Sequence, residues 1–162
     1  MIRSVRKAYA GPITYAANWD EFEKVDFWDE LDYAGIDAYF PLAQKEDPPA
    51  EELKARCDKW IKKIESWAKP LGKQIILTEV GYYSASCAPI TPWEEKSPGG
   101  ADLGIQAKCY RVFLETAWGK EWLAGIYWWR WNTNPDAGGA NNEGFTPQNK
   151  PAQDILVEWY KK

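Results

Sequence analysis

Glu79 closes an apolar run, Gln74-Ile75-Ile76-Leu77-Thr78-Glu79-Val80-Gly81-Tyr82, that reads as a buried strand. A carboxylate at the C-terminal tip of such a strand is costly unless the site uses it. A second run, Gly125-Ile126-Tyr127-Trp128-Trp129-Arg130-Trp131-Asn132, also reads as a strand and carries four aromatic side chains. An acid beside an aromatic wall suits a sugar-cleaving site: the carboxylate works at the anomeric carbon while an indole holds the pyranose flat. The plainer alternative is a solvated strand-end glutamate and a core of tryptophans. Strand position alone leaves both open, although active-site residues favour such ends in parallel barrels.

Composition narrows the chemistry. The chain has 162 residues, enough for one domain with a full core, and 11 of them are Trp. It contains no histidine, which removes Ser-His-Asp and Cys-His catalysis and most transition-metal sites. Carboxylate-pair chemistry survives that filter. Cys57, Cys87 and Cys109 are widely spaced and form neither a disulfide framework nor a zinc pattern. Asp136, Asn141 and Glu143 follow no calcium-loop spacing, so neither a metal nor a cofactor is expected. The net charge is −4 and no basic stripe stands out, which argues against nucleic acid and anionic membranes as partners. No run approaches the ~20 apolar residues that a membrane span requires.

The elements that must position these residues alternate. Ile2, Val5 and Tyr9 fall on one helical face, so residues 1–10 read as the end of a preceding helix. A chain that begins inside a helix is expected to be a piece of something longer, and its lack of a signal peptide then says nothing about secretion. Residues 13–18 read as a strand and 20–31 as a helix with Phe22, Val25, Trp28 and Leu31 as its stripe. Residues 33–40 read as a second strand, and 49–69 as a long helix capped near Asp47, with Leu53, Cys57, Trp60, Ile64 and Trp67 as its stripe. The Glu79 strand comes third, before a loop over 83–101 and a helix over 102–118. The aromatic strand, a loop over 133–150 and a helix over 151–160 complete the order.

Residues 11–162 thus form four strand-helix units, and strict alternation implies a parallel sheet covered by helices. The long loops follow strands, so the elaborated surface lies at the strands' C-terminal ends. Four units of roughly 40 residues are half of a (β/α)8 barrel. An open four-stranded α/β sheet is the rival, but no Gly-rich phosphate turn follows an early strand. The stretch Gly138-Gly139-Ala140-Asn141-Asn142-Glu143-Gly144 lies well before its helix and lacks a Lys-Ser/Thr pair.

Five pieces taken together carry a family resemblance. They are Ile13-Thr14-Tyr15-Ala16-Ala17-Asn18-Trp19, Gly35-Ile36-Asp37-Ala38-Tyr39-Phe40-Pro41, Leu77-Thr78-Glu79-Val80-Gly81-Tyr82, Gly125 to Trp131, and Gly144-Phe145-Thr146-Pro147 with Lys150-Pro151-Ala152. In this order and spacing the chain resembles glycoside hydrolase family 113, β-mannanase-like retaining enzymes of the large (β/α)8 clan. The resemblance spans essentially the whole chain. It implies an α/β fold, the C-terminal half of a TIM barrel, strands five to eight, as a single half-barrel domain over 1–162.

What the resemblance implies for chemistry follows residue by residue. Glu79 matches the nucleophile at the tip of strand seven. Tyr39 matches the tyrosine that hydrogen-bonds and orients it. The clan's stacking tryptophan at the last strand favours Trp131, with Trp128 as the backup. The clan's acid/base glutamate sits at the tip of strand four, before this sequence starts. The chain alone is therefore expected to be weak or inactive.

Other candidates come from position. Asp37 shares parity with Tyr39 and fits either substrate hydroxyls or an ion pair with Arg130, itself a candidate binding residue. Asn18 and Trp19 end the first strand; Asn18 fits a sugar hydroxyl or a helix cap equally well. Trp93 is a candidate rim contact. Glu94 and Glu95 beside it are candidates for a replacement acid, although a solvated loop pair is the simpler reading. The expected ligand is a β-linked oligo- or polysaccharide. A half barrel leaves two sheet edges unpaired, so a homodimer or a complementary N-terminal half-barrel is the expected partner. The competing function is a non-catalytic carbohydrate-binding or scaffold half-barrel.

Overall fold

The computed structural model describes residues 1–94 and 100–162. A short helix α1 (Ile2–Ala8) precedes four strands: β1 (Ala16–Asn18), β2 (Ala34–Asp37), β3 (Ile75–Val80) and β4 (Leu123–Trp128). Helices α2 (Ala50–Leu71), α3 (Leu103–Ala117) and α4 (Pro151–Tyr160) alternate with the later strands. The sheet runs in the order β1-β2-β3-β4 and every neighbouring pair is parallel. This is the expected half barrel.

Packing follows the strand period. Ile36, Ile75 and Leu77 are fully buried and join Leu53, Cys57, Ile61 and Ile64 of α2 and Phe113 of α3 in the core. Ile76 and Thr78 point the other way. They line an open groove with Ile13, Thr14, Tyr33 and Tyr127, the concave side of the half barrel. Burial of the α2 face draws on the i, i+3, i+4 spacing of Leu53, Cys57, Ile61, Ile64 and Ala68. Trp60 and Trp67, expected on the same stripe, flank it and are half-buried. Asp102 caps α3 by accepting from the Ile105 amide at 2.9 Å. Asp47 caps nothing: α2 starts after Pro49, without a side-chain cap.

The segment between β1 and β2 corrects the expected helix over 20–31. It forms two 3₁₀ turns, Phe22–Lys24 and Trp28–Glu30. The reason lies in the stripe itself. Phe22, Val25, Trp28 and Leu31 recur every three residues, the period at which 3₁₀ side chains eclipse, and not every 3.6. Trp28 fixes the arrangement by donating its Nε1–H to the Phe22 carbonyl at 2.9 Å in the interior. The fourth strand also differs from expectation: it begins at Leu123 and ends at Trp128, so Trp129, Arg130, Trp131 and Asn132 lie beyond it.

Candidate active site

Regular alternation would bury Glu79. It has the parity of Ile75 and Leu77, both wholly covered by the helix layer. A β-bulge prevents this. On β2, Ile36 faces Leu77 and the next residue, Asp37, faces Glu79, so Thr78 is skipped. On β4, Ile126 faces Leu77 and Trp128 faces Val80, two steps against three. Both neighbours thus record one extra residue in β3 between Leu77 and Val80. Bulges re-aim side chains beside active sites in this way. Thr78 and Glu79 both reach polar partners on β2 and the segment after it.

Those partners are Asp37 and Tyr39. The Tyr39 hydroxyl donates to Glu79 Oε2 at 2.5 Å, and the Thr78 hydroxyl donates to Asp37 Oδ1 at 2.8 Å. Burial, and then the hydrogen bond to Glu79, push the Tyr39 phenol far above its ordinary range, so it remains a donor. Burial also raises the Asp37 carboxyl, opposed by the Thr78 hydrogen bond and reinforced by the Glu79 charge. Asp37 and Arg130 form no ion pair among the described residues; Arg130 is exposed and Asp37 is held by Thr78.

A packed support lies behind this cluster. Phe145 is buried edge-on to Tyr39 and Tyr83, at ring-centroid distances of 6.1 and 5.5 Å. Gln106 of α3, fully buried, donates its Nε2 hydrogens to the Tyr82 and Phe145 carbonyls at 2.9 and 3.0 Å. Lys150, also buried, donates to Ser84 Oγ and to the Gly144 carbonyl, both at 2.8 Å. These bonds tie the 133–150 loop to the end of β3. Gln106 was not singled out from sequence, although a polar residue on the apolar face of α3 was a signal for it; Lys150 stood in a resemblance motif but was given no role. At Gly81 an added Cβ would stand 2.4 Å from the Trp129 carbonyl, so only glycine lets the β4 exit lie this close to β3.

The remaining candidates separate. Trp131 is 56% exposed, on the segment that leaves β4. Trp128, the backup stacker, belongs to the helix layer. It stacks on Tyr110 of α3 at 4.6 Å, lies edge-on to Phe113, and donates to the Tyr160 hydroxyl at 3.1 Å. Its parity matches that of Ile126, so it turns away from the concave side. Asn18 is exposed at the end of β1, and it caps no helix: the 3₁₀ turn that follows has Glu21 at its N-cap and no side-chain cap bond. Trp19 stacks on Trp93. Glu94 accepts from the Thr91 hydroxyl at 3.1 Å in an exposed loop. Glu95 lies outside the described residues.

A bulged parallel strand thus delivers a tyrosine-held carboxylate to the C-terminal mouth of a half barrel, the end at which (β/α)8 enzymes carry their active sites. The model of Glycoside Hydrolase Family 113 matches residues 1–150, and the chain belongs to that family. Among solved structures, a β-1,4-mannanase of this family is 26% identical at a TM-score of 0.84, over 99% of this chain and 49% of that one. The β-mannanase AaManA from Alicyclobacillus acidocaldarius, solved in complex with ManMIm, is also 26% identical at 0.84, over 99% and 48%. A β-glucuronidase from Ruminococcus gnavus shares the fold at 17% identity and a TM-score of 0.64, over 99% of this chain and 28% of that one. The chain therefore spans about half the length of the family 113 structures it matches. A search of curated proteins returns no match.

Proposed function

We propose that this chain is the nucleophile-bearing half of a retaining β-mannan hydrolase, with Glu79 as the attacking carboxylate. The observation that carries the reading is the 2.5 Å hydrogen bond from Tyr39 to Glu79 Oε2 at the strand mouth. A charge-assisted bond of this kind fixes one oxygen and leaves Oε1 to approach the anomeric carbon. Retaining hydrolysis then needs a second carboxyl about 5–5.5 Å away to protonate the leaving oxygen and later activate water. We place that group on a complementary four-stranded half. Asp37, held by Thr78, and exposed Trp131 serve the substrate in this scheme, with Asn18, Trp19 and Arg130 around the mouth.

The two ends of the sheet support the need for a partner. Exposed large apolar side chains gather there: Met1, Val5, Tyr9 and Tyr15 around α1 and β1, and Tyr127, Trp131, Val157 and Tyr160 around β4 and α4. Such patches mark interaction surfaces, and unpaired parallel edges need covering. The mannose preference rests on the family 113 mannanases alone.

A 2-deoxy-2-fluoro-β-mannoside with a dinitrophenolate leaving group tests the reading. That leaving group departs without a proton, so attack does not depend on the absent acid. Mass spectrometry is expected to find the sugar on Glu79, in the chain alone or co-expressed with the N-terminal half of a family 113 enzyme, and no adduct in Glu79→Gln. Manno-oligosaccharide binding with no adduct in either state would instead identify a binding half-barrel.

A further inference from the structure

Around the ends of β1 and β2 stands a ladder of aromatic rings that the catalytic cluster does not use. Trp93 stacks on Trp19 with centroids 5.4 Å apart and planes 18° from parallel. Trp19 meets Trp60 edge-on at 5.3 Å and 88°. Trp60 in turn stacks on Phe40 at 5.1 Å and 9°. Phe40 is fully buried and directly follows Tyr39, so the ladder is braced against the backbone that carries the Glu79 partner. The Trp60 Nε1–H donates to the Pro41 carbonyl at 3.3 Å, which fixes that ring's rotation.

The outer end of the ladder is open. Trp93 remains 46% exposed although one ring face is covered by Trp19. Its loop is tied to its own start after β3: the Tyr83 and Thr91 hydroxyls are paired at 3.4 Å, and Thr91 donates to Glu94 at 3.1 Å. A large indole stacked on one face and exposed on the rest forgoes burial that the core could have supplied. It offers in return a preorganised flat surface that needs little ordering on binding. Trp19 follows Asn18, the last residue of β1, so the ladder stands at the same C-terminal end of the sheet as Glu79. β1 and β3 are two strand spacings apart, about 10 Å. At that backbone spacing a sugar chain with one ring at Glu79 would bring a further ring toward Trp19.

We propose that the Trp19–Trp93 stack is a second sugar platform, which receives a distal pyranose of a β-linked oligosaccharide whose reacting ring lies at Glu79. This deepens the catalytic reading and rests on it for the direction of the chain. The platform selects for length, because a monosaccharide at Glu79 does not touch it.

Calorimetric titration of wild type, Trp93→Ala and Trp93→Phe with β-1,4-mannohexaose tests the platform, with near-UV circular dichroism as the check on folding. Trp93→Ala is expected to weaken hexaose binding about tenfold, and Trp93→Phe to recover most of it. Adduct formation at Glu79 in the wild type, measured in parallel, reports the catalytic reading separately. An adduct together with equal hexaose affinity in wild type and Trp93→Ala overturns the platform and leaves the nucleophile standing. No adduct, with hexaose affinity still dependent on Trp93, removes the nucleophile and keeps the platform. Absence of any hexaose binding by the wild type overturns the platform outright.

Discussion

The Tyr39 hydroxyl reaches across from the end of β2 to Glu79 Oε2 on β3, 2.5 Å away, where burial keeps the phenol protonated. Tyr39→Phe removes that donor and nothing else of comparable volume. Hydrogen bonds to charged groups contribute about 1.5–3 kcal/mol, so the rate of adduct formation at Glu79 should fall roughly ten- to hundredfold. Time-resolved mass spectrometry of the fluoromannoside reaction measures it. An unchanged rate would separate Tyr39 from the chemistry.

Asp37 should make stability depend on acidity. Its folded pKa lies above the ordinary 3.8 because burial disfavours the anion. The folded protein therefore holds this proton at pH values where the unfolded chain has lost it. The contribution is fully favourable below pH 3.8 and declines as pH rises through the elevated folded value. Asp37→Asn should remove that decline, seen as a smaller loss of stability than wild type from acid to neutral pH in urea titrations.

Lys150 shows the opposite asymmetry. Burial lowers its pKa from 10.5 to about 8, and its partners are neutral oxygens of Ser84 and Gly144. Between these two values the unfolded chain binds the proton more tightly, so this residue's contribution rises with pH from about 8 to 10.5. Lys150→Met should abolish the slope. It should also loosen the 133–150 loop through the two lost bonds, visible as faster amide exchange there.

Gly81→Ala drives a Cβ to 2.4 Å from the Trp129 carbonyl, a backbone atom that cannot rotate away. Overpacking of this kind costs about 1–3 kcal/mol. For a chain of this size that lowers Tm by roughly 2–12 °C, readable by scanning calorimetry.

The open edges predict association. Light scattering after size exclusion should show the isolated chain associating as concentration rises, and Tyr127→Asp, at a position 64% exposed on β4, should weaken that association. A folded monomer at every concentration would count against the partner half.

The parallel half barrel was legible because strand and helix periods alternate cleanly and turn residues separate them. The Tyr39–Glu79 approach was legible through the resemblance, since both residues sit in its motifs. The 3₁₀ segment was misread because a spacing of three satisfies a loose helical pattern as readily as its own. Trp128 was only the backup to Trp131, because alternation does not say which face of a strand meets the lumen; its contacts with Tyr110 and Phe113 of α3 put it in the helix layer. Gln106 and Phe145 act through contacts made about 24 to 106 positions away along the chain, as between Phe145 and Tyr39, and no local window contains such pairs.

The surplus residue in β3 has an evolutionary reading. Losing Thr78 would set the glutamate directly after Leu77, on the opposite face from it by plain alternation, and would strip Asp37 of its hydroxyl partner. A homologue with a gap there would keep the acid on the open face and lose the threonine that holds the aspartate beside it.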